Sequence, residues 1–249
     1  MKRLLPLPFA AILFACASAS GAELSIVSGG AVEPGVTSVV ALFRAETGTD
    51  AKVRFATAPM ILQRIGGGEA ADVVIAPPAV IDALAKAGKV DGAARMSVGR
   101  VGIGVMVRDG TPTPDISSAE MLKRALLDAR SVVYNKASTG LYLEQLFDRL
   151  GVGPEVKAKE VRYPDGAAVI EHVIRGSGND IGFGAITEIG LYRGRGARFV
   201  GPLPAGTQNY TSYAAAPSAK PGDGETAAAF LKFIDSPAAR AAFQARGVE

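Results

Sequence analysis

Apolar runs that end in a small-residue turn and lead straight into an amphipathic helix recur along this chain, and that repetition constrains the fold more than any other feature. "LSIVSGG" (Leu24 to Gly30) is a short β-type run ending in a glycine turn, and "VTSVVALFRAETG" reads as a helix closed by Gly48. "AKVRFATAP" repeats the form, followed by the short helix "MILQRIGGG" that ends at Gly66 to Gly68. "ADVVIAPP" is a further buried strand, with "AVIDALAKAGKV" as its helix. "RVGIGVMVRDG" is a long apolar segment with no helical period and predicts a strand. Beyond the loop "TPTPDIS" the alternation resumes: helix "SAEMLKRALLDA", strand "SVVYN", helix "STGLYLEQLFDRLG", strand "KEVRY", helix "GAAVIEHVIRGSG" and strand "DIGFGAI". Strands alternating with helices predict an α/β fold with a parallel sheet, and two such series separated by one long strand predict two lobes. "YTSYAAAPS" alternates like a strand, and "GETAAAFLKFIDSPAARAAFQARG" gives two closing helices broken at Pro237.

A chain of 249 residues with 48% apolar composition has enough material for a substantial core, as one large domain or two smaller lobes. Lys2 and Arg3 precede an apolar run from Leu4 to Ala15, and small residues follow, which is the layout of a secretory signal peptide over residues 1–22. The apolar run falls short of the ~20 residues that a membrane-spanning helix needs. Cys16, the single cysteine, lies inside this leader; it could carry lipid in a bacterial lipoprotein, although Phe14 is bulky for that role. The exported chain then has no cysteine, so it has no disulfide, thiolate nucleophile or thiol metal site. Loss of Lys2 and Arg3 leaves 25 basic against 24 acidic residues, a net charge of +1. A nearly neutral surface argues against nucleic acid as a partner.

Four turns follow strands and open helices: Ser28-Gly29-Gly30, Thr57-Ala58-Pro59, Ser138-Thr139-Gly140 and Ala185-Ile186-Thr187. In open α/β sheets ligands sit at the carboxyl ends of the strands, where helix N-termini offer free N–H groups to an anion. Taken singly, each turn is an ordinary helix cap. The residue three beyond Ser138 is Leu141 and the one three beyond Thr57 is Met60, so neither turn carries the acidic partner of a capping box.

Catalytic and metal-binding patterns are weak. His172, the only histidine, sits mid-helix in "VIEHVIRG", and there is no second His or Cys for a transition metal. Ser28 lacks a Gly-x-Ser-x-Gly frame, and Gly66 to Gly68 lack the Lys-Ser/Thr of a phosphate loop. Asp72 beside a buried strand reads more readily as a turn holder than as a catalytic acid. No enzyme activity, metal or cofactor is expected from these residues.

"LSIVSGGA", "VRFATAPMILQRI", "GGGEAADVVIAPP", "STGLYLEQLFDRLGV", "GNDIGFGAITEI" and "FLKFIDSPAARAAFQARG", in that order and spacing, resemble the periplasmic solute-binding proteins of ABC importers, specifically the molybdate-binding-protein-like family. The resemblance covers nearly the whole exported chain. It implies the two-lobed periplasmic binding protein fold (type II), with two crossing hinge strands and a ligand cleft between the lobes. Residues 23–100 with 208–249 would form lobe 1 and residues 101–207 lobe 2. "VGIGVMV" and the segment from Phe199 to Ser212 would be the crossings. The site it implies comprises Ser28, Gly29, Gly30, Thr57 and Ala58 from the first lobe, and Ser138, Thr139, Gly140, Ile186 and Thr187 from the second.

Two departures bear on the ligand. Molybdate binders of this family usually bring a tyrosine hydroxyl to the oxyanion from the turn where this chain has Ala185, and consecutive hydroxyl residues where it has Ser28-Gly29-Gly30. Each lost hydrogen bond to a charged ligand forfeits about 1.5–3 kcal/mol. Small residues there suggest a roomier cleft for a larger anion such as an organic acid, with Thr207, Gln208, Asn209 and Tyr210 lining it. Arg64, Lys136 or Arg162 could meet a carboxylate. The expected function is capture of a small anionic solute in the periplasm by a monomer that presents it to an inner-membrane ABC permease. A solute-sensing accessory protein, or less readily a secreted enzyme on the same scaffold, is the alternative. A general base in the cleft would mark the enzyme.

Overall fold

The computed structural model describes residues 23–249. Residues 1–22, the expected leader, and Cys16 within them lie outside the described residues. In chain order the elements are β1 (Leu24–Gly29), a 3-10 turn (Gly30–Val32), α1 (Glu33–Thr47), β2 (Ala51–Ala56), α2 (Ala58–Gly66), β3 (Val73–Ala76), α3 (Pro78–Lys86) and β4 (Met96–Arg108). Then come α4 (Ala119–Asp128), β5 (Ser131–Asn135), α5 (Ser138–Arg149), α6 (Gly153–Lys157), β6 (Glu160–Tyr163), α7 (Gly166–Arg175), β7 (Asp180–Ala185) and α8 (Ile186–Gly190). The chain closes with β8 (Ala197–Pro202), β9 (Tyr210–Pro217), α9 (Gly224–Ile234) and α10 (Pro237–Ala245).

The strands lie in the order β2-β1-β3-β9-β4-β7-β5-β6, with β8 on β4. At one end β1 is parallel to both β2 and β3; at the other, β5 is parallel to β6 and β7. The expected parallel sheet is found at both ends, while in the middle β9 is antiparallel to β3 and β4, and β4 is antiparallel to β7 and β8. The cause is topological. β4 leaves one sheet for the other and β9 returns, so the two strands run in opposite directions. β4 pairs with β9 from Met96 to Gly102 and with β7 and β8 from Ile103 onward. At the exchange point Gln208 acts as a substitute strand: its Oε1 accepts from Ile103 N–H at 2.9 Å and its Nε2 donates to Ile103 C=O at 2.9 Å.

Each sheet is covered on both faces, which explains the nearly unbroken apolar strands. Leu24, Ile26 and Ile75 point into one core with Phe43, Phe230 and Phe243, while Val27 and Val74 point to the opposite face with Ile61, Ile81 and Leu84. The rings of Phe43 and Phe230 meet edge to face at 5.2 Å. In the second sheet Val132, Phe183, Leu143 and Phe147 form one core, and Val133, Met106, Val169 and Ile170 the other. Burial of each such side chain stabilises by about 1.5–3 kcal/mol. Asp72 holds a turn, accepting from the Ser25 N–H at 2.8 Å and the Gly222 N–H at 2.6 Å. His172 lies in α7, its Nδ1 paired with the Tyr163 hydroxyl at 2.9 Å.

Candidate functional site

Helix starts divide into two groups. At α4, α7, α9 and α10, the side chains of Ser118, Asp165, Asp223 and Ser236 accept a backbone N–H of the first turn. At the other helix starts the capping residue contributes no side-chain bond; among them are α2, α5 and α8, whose N-caps are Thr57, Ala137 and Ala185. All three of these N-caps line one cavity between the two sheets, together with Gly29, Gly30, Ala31, Ala56, Ala58, Asn135, Ser138, Thr139, Glu188 and Tyr213.

The start of α5 shows how the hydroxyls are freed. Sequence reading puts the cap at Ser138, but the N-cap is Ala137 and Ser138 is the first helical residue. Asn135, at the end of β5, does the capping: its Oδ1 accepts from Ala137 N–H at 3.0 Å and Gly140 N–H at 3.2 Å. Gly140 is needed because a Cβ there would overlap the Asn135 carbonyl oxygen. With Asn135 serving the turn, the hydroxyls of Ser138 and Thr139 make no hydrogen bond among the described residues and line the cavity instead.

Of the ten expected site residues, Gly29, Gly30, Thr57, Ala58, Ser138 and Thr139 line the cavity. Gly140 is buried behind it. Ser28 is fully buried, with its hydroxyl on the neighbouring Gly29 carbonyl at 3.3 Å. Ile186 turns toward the crossing strand, within reach of Gly102 and Gly104. Thr187 spans the gap between the sheets, donating from Oγ1 to the Ala31 carbonyl at 2.5 Å. Thr207, Gln208, Asn209 and Tyr210 do not line the cavity: Thr207 bonds to Pro204 C=O, Gln208 to Ile103, and Tyr210 is exposed beneath Arg100. Arg64 and Arg162 are turned to Glu69 and Glu144, Lys136 is exposed, and none of the three reaches the cavity.

Sequence reading missed Asn135, Tyr213 and Glu188. Tyr213 comes from β9, far from the helix-opening turns, and its ring packs on Gly29, where a Cβ would lie 2.8 Å from Cε1. Glu188 lies in the first turn of α8, and its signal in the sequence was only "AITE" at a strand-to-helix turn. Its carboxyl occupies space that two glycines clear. A Cβ at Gly30 would lie 2.8 Å from Oε1, and a Cβ at Gly166 would overlap Oε2.

Desolvation is the main influence on Glu188. It raises the carboxyl from an ordinary value near 4.5 to about 7, reinforced by the negative charges of Glu33 and Asp165 and opposed by the Ala185 N–H. Burial also raises the Tyr213 hydroxyl, with Glu188 adding to the effect, and raises the Glu33 carboxyl. The enclosed space measures about 40 Å³, enough for a few waters. Its lining offers N–H groups, hydroxyls, an amide and one carboxyl, and among the described residues no lysine or arginine. Among the described residues no cluster of three or more His, Cys, Asp or Glu could hold a metal ion.

The model of the bacterial extracellular solute-binding protein family matches residues 24–249. The chain belongs to this family. Among solved structures, this solute-binding protein is similar to the periplasmic molybdate-binding protein of Azotobacter vinelandii (TM-score 0.76, 16% identity, 91% of this chain and 99% of that one). It is also similar to the sulfate-binding protein of Mycobacterium tuberculosis (TM-score 0.73, 20% identity, 91% of this chain and 86% of that one). These likenesses establish the two-lobed periplasmic binding protein fold that the sequence resemblance implied. A curated relative from Pseudomonas sp. is 30% identical over 234 residues, covering 91% of this chain and 87% of its own length, and is named aconitate isomerase. No helix among the described residues is long and apolar enough to cross a membrane.

Proposed function

We propose that this solute-binding protein captures a small carboxylic acid in the periplasm by closing its lobes, residues 23–100 with 208–249 and residues 101–207, over the cleft, and passes it to an ABC permease. The observation that carries the reading is the shared cavity lining. Thr57 and Gly30 on one side face Ser138 and Thr139 on the other, around the starts of α2 and α5, where the Asn135 cap leaves the Ser138 and Thr139 hydroxyls free. An anion held by neutral donors needs no lysine or arginine, as helix N-termini supply partial positive charge. Ligand capture would bias closure because the two sets of donors converge only when the lobes meet. A cavity of about 40 Å³ is far too small for a polycarboxylate, so the lobes would part to admit one and close around it at a wider spacing than the empty cleft shows. The Thr187–Ala31 bond would hold the lobes together in the ligand-free protein. Carboxylate is favoured over tetrahedral oxyanion by the relative named for aconitate. A thermal-shift screen against aconitate, citrate, molybdate and sulfate tests this, since a ligand of the folded state raises apparent stability by mass action. The largest shift with molybdate or sulfate would refute the carboxylate reading.

A second reading has one observation in its favour: a cleft carboxyl, Glu188, is surrounded by the donors that would hold the ligand. On this reading the protein isomerises an unsaturated polycarboxylate, as the name of the Pseudomonas relative describes for that protein. Incubation of the purified protein with cis- or trans-aconitate, followed by chromatographic separation of the isomers, tests it directly. No interconversion above the protein-free rate would eliminate it.

A further inference from the structure

We propose that Glu188 is the catalytic group of this cleft, taking a proton from the methylene of a bound unsaturated polycarboxylate and returning it at the far end of the allylic unit. The assignment rests on the isomerase reading above and names the group that would do its chemistry. In the step, the C–H bond of a methylene flanked by a carboxylate and a C=C bond breaks, and the proton passes to a Glu188 carboxylate oxygen. The electron pair spreads over the allyl-carboxylate system, the double bond moves by one position, and the same proton forms a new C–H bond at the opposite terminus. Atoms and electrons balance without an oxidant or cofactor, and the carboxylate is regenerated.

Three observations support Glu188. Among the described residues it is the only carboxyl group lining the cavity. Glycine at positions 30 and 166 leaves the space its carboxyl oxygens occupy, and a side chain at either position would displace the carboxyl from where it stands. Neither oxygen is engaged by another side chain among the described residues, so the group is not held in a structural ion pair, as Glu144 is by Arg162. A carboxyl in a cleft built for an anion is a handicap for capture alone, because like charges repel. The handicap becomes useful if the group exchanges its proton with the ligand. The groups that face it are Glu33 at the start of α1, Asp165 at the N-cap of α7, and Tyr213 on β9. Both carboxyls and the surrounding burial favour the protonated form, which brings the group to about 7 and matches its proton affinity to neutral operation. The Tyr213 ring is set against Gly29 at the cavity wall.

The test compares wild-type protein with Glu188→Gln. Each is incubated with cis- and trans-aconitate in D2O and followed by NMR for isomer interconversion and deuterium incorporation, while calorimetry measures binding of the same acids. The expected result is turnover by the wild type that fails below about pH 7, and a rate at least about 100-fold lower for Glu188→Gln with binding retained. Glu188→Asp, which draws the carboxyl back by one methylene, guards against a misfolded Gln variant and should lose at least about tenfold in rate. Wild-type turnover with Glu188→Gln within tenfold of it, or with Glu188→Asp unchanged, would overturn the assignment and leave the isomerase reading standing. Binding by the wild type with neither interconversion nor exchange would remove the isomerase reading and the assignment together, leaving capture. No binding at all would sink the carboxylate reading itself.

Discussion

Replacing Glu188 by glutamine should stabilise the protein in alkaline solution and leave it unchanged in acid. The amide has nearly the volume of the carboxyl, so the glycine-cleared space at positions 30 and 166 stays filled, and the difference between the two proteins is charge. Folding moves the carboxyl from about 4.5 to about 7, mainly by desolvation. A carboxyl whose folded value lies above its unfolded value favours folding in its protonated form. Relative to the amide it costs nothing below pH 4.5, costs progressively more as the pH rises to about 7, and has its full cost above that. At 1.36 kcal/mol per pH unit the ceiling is about 3 kcal/mol, and the partial solvent contact of Glu188 reduces this to about 2 kcal/mol. For a domain of this size that corresponds to a rise in Tm of about 4–8 °C. Urea or thermal unfolding of both proteins from pH 4 to pH 8.5 measures it. A stability difference equal at both ends of the range, or largest at pH 4, would refute the argument that desolvation governs this group.

Further predictions concern the turn, the latch, the hinge and the core. Ser138→Ala with Thr139→Ala should weaken binding of the captured acid at least tenfold while changing stability by under about 0.5 kcal/mol, whereas Asn135→Ala should destabilise by about 1–2 kcal/mol by removing the cap from α5. Calorimetric titration and urea unfolding separate the two effects. Thr187→Val removes the bond to Ala31 across the gap; small-angle scattering should then show a larger radius of gyration without ligand. Gln208→Ala should lose about 1–2 kcal/mol as two hydrogen bonds to Ile103 go, with faster amide exchange at Ile103 as the accompanying sign. Asp72→Ala leaves the Ser25 and Gly222 N–H groups without their acceptor and should cost about 2–3 kcal/mol in urea unfolding.

The alternation of strand and helix was legible because each sheet is buried on both faces, so strands such as Val73–Ala76 are wholly apolar and the helices between them carry a helical stripe. Pairing direction was less legible. Nothing local in "YTSYAAAPS" tells that it inserts antiparallel between β3 and β4. The cleft was legible where the polypeptide itself makes it, at Gly29, Gly30, Thr57, Ala58, Ser138 and Thr139. The sequence does not tell where a hydroxyl will point: those of Ser28 and Thr187 are each spent on a backbone carbonyl, and the direction depends on packing. Glu188 and Tyr213 were missed for another reason. Each is an ordinary residue in its own segment, and only the meeting of α8, β9 and the two glycine positions makes the pair significant.

Asn135 separates two tasks that a single serine usually performs. Because its amide oxygen serves the α5 turn from two residues upstream, positions 138 and 139 can vary without unravelling the helix. Descendants of this scaffold can therefore change the pair of side chains that meets the solute while their folding is buffered by one residue behind it. Diversification of ligand within such a lineage should concentrate at these two positions, with asparagine retained at 135 and glycine at 140.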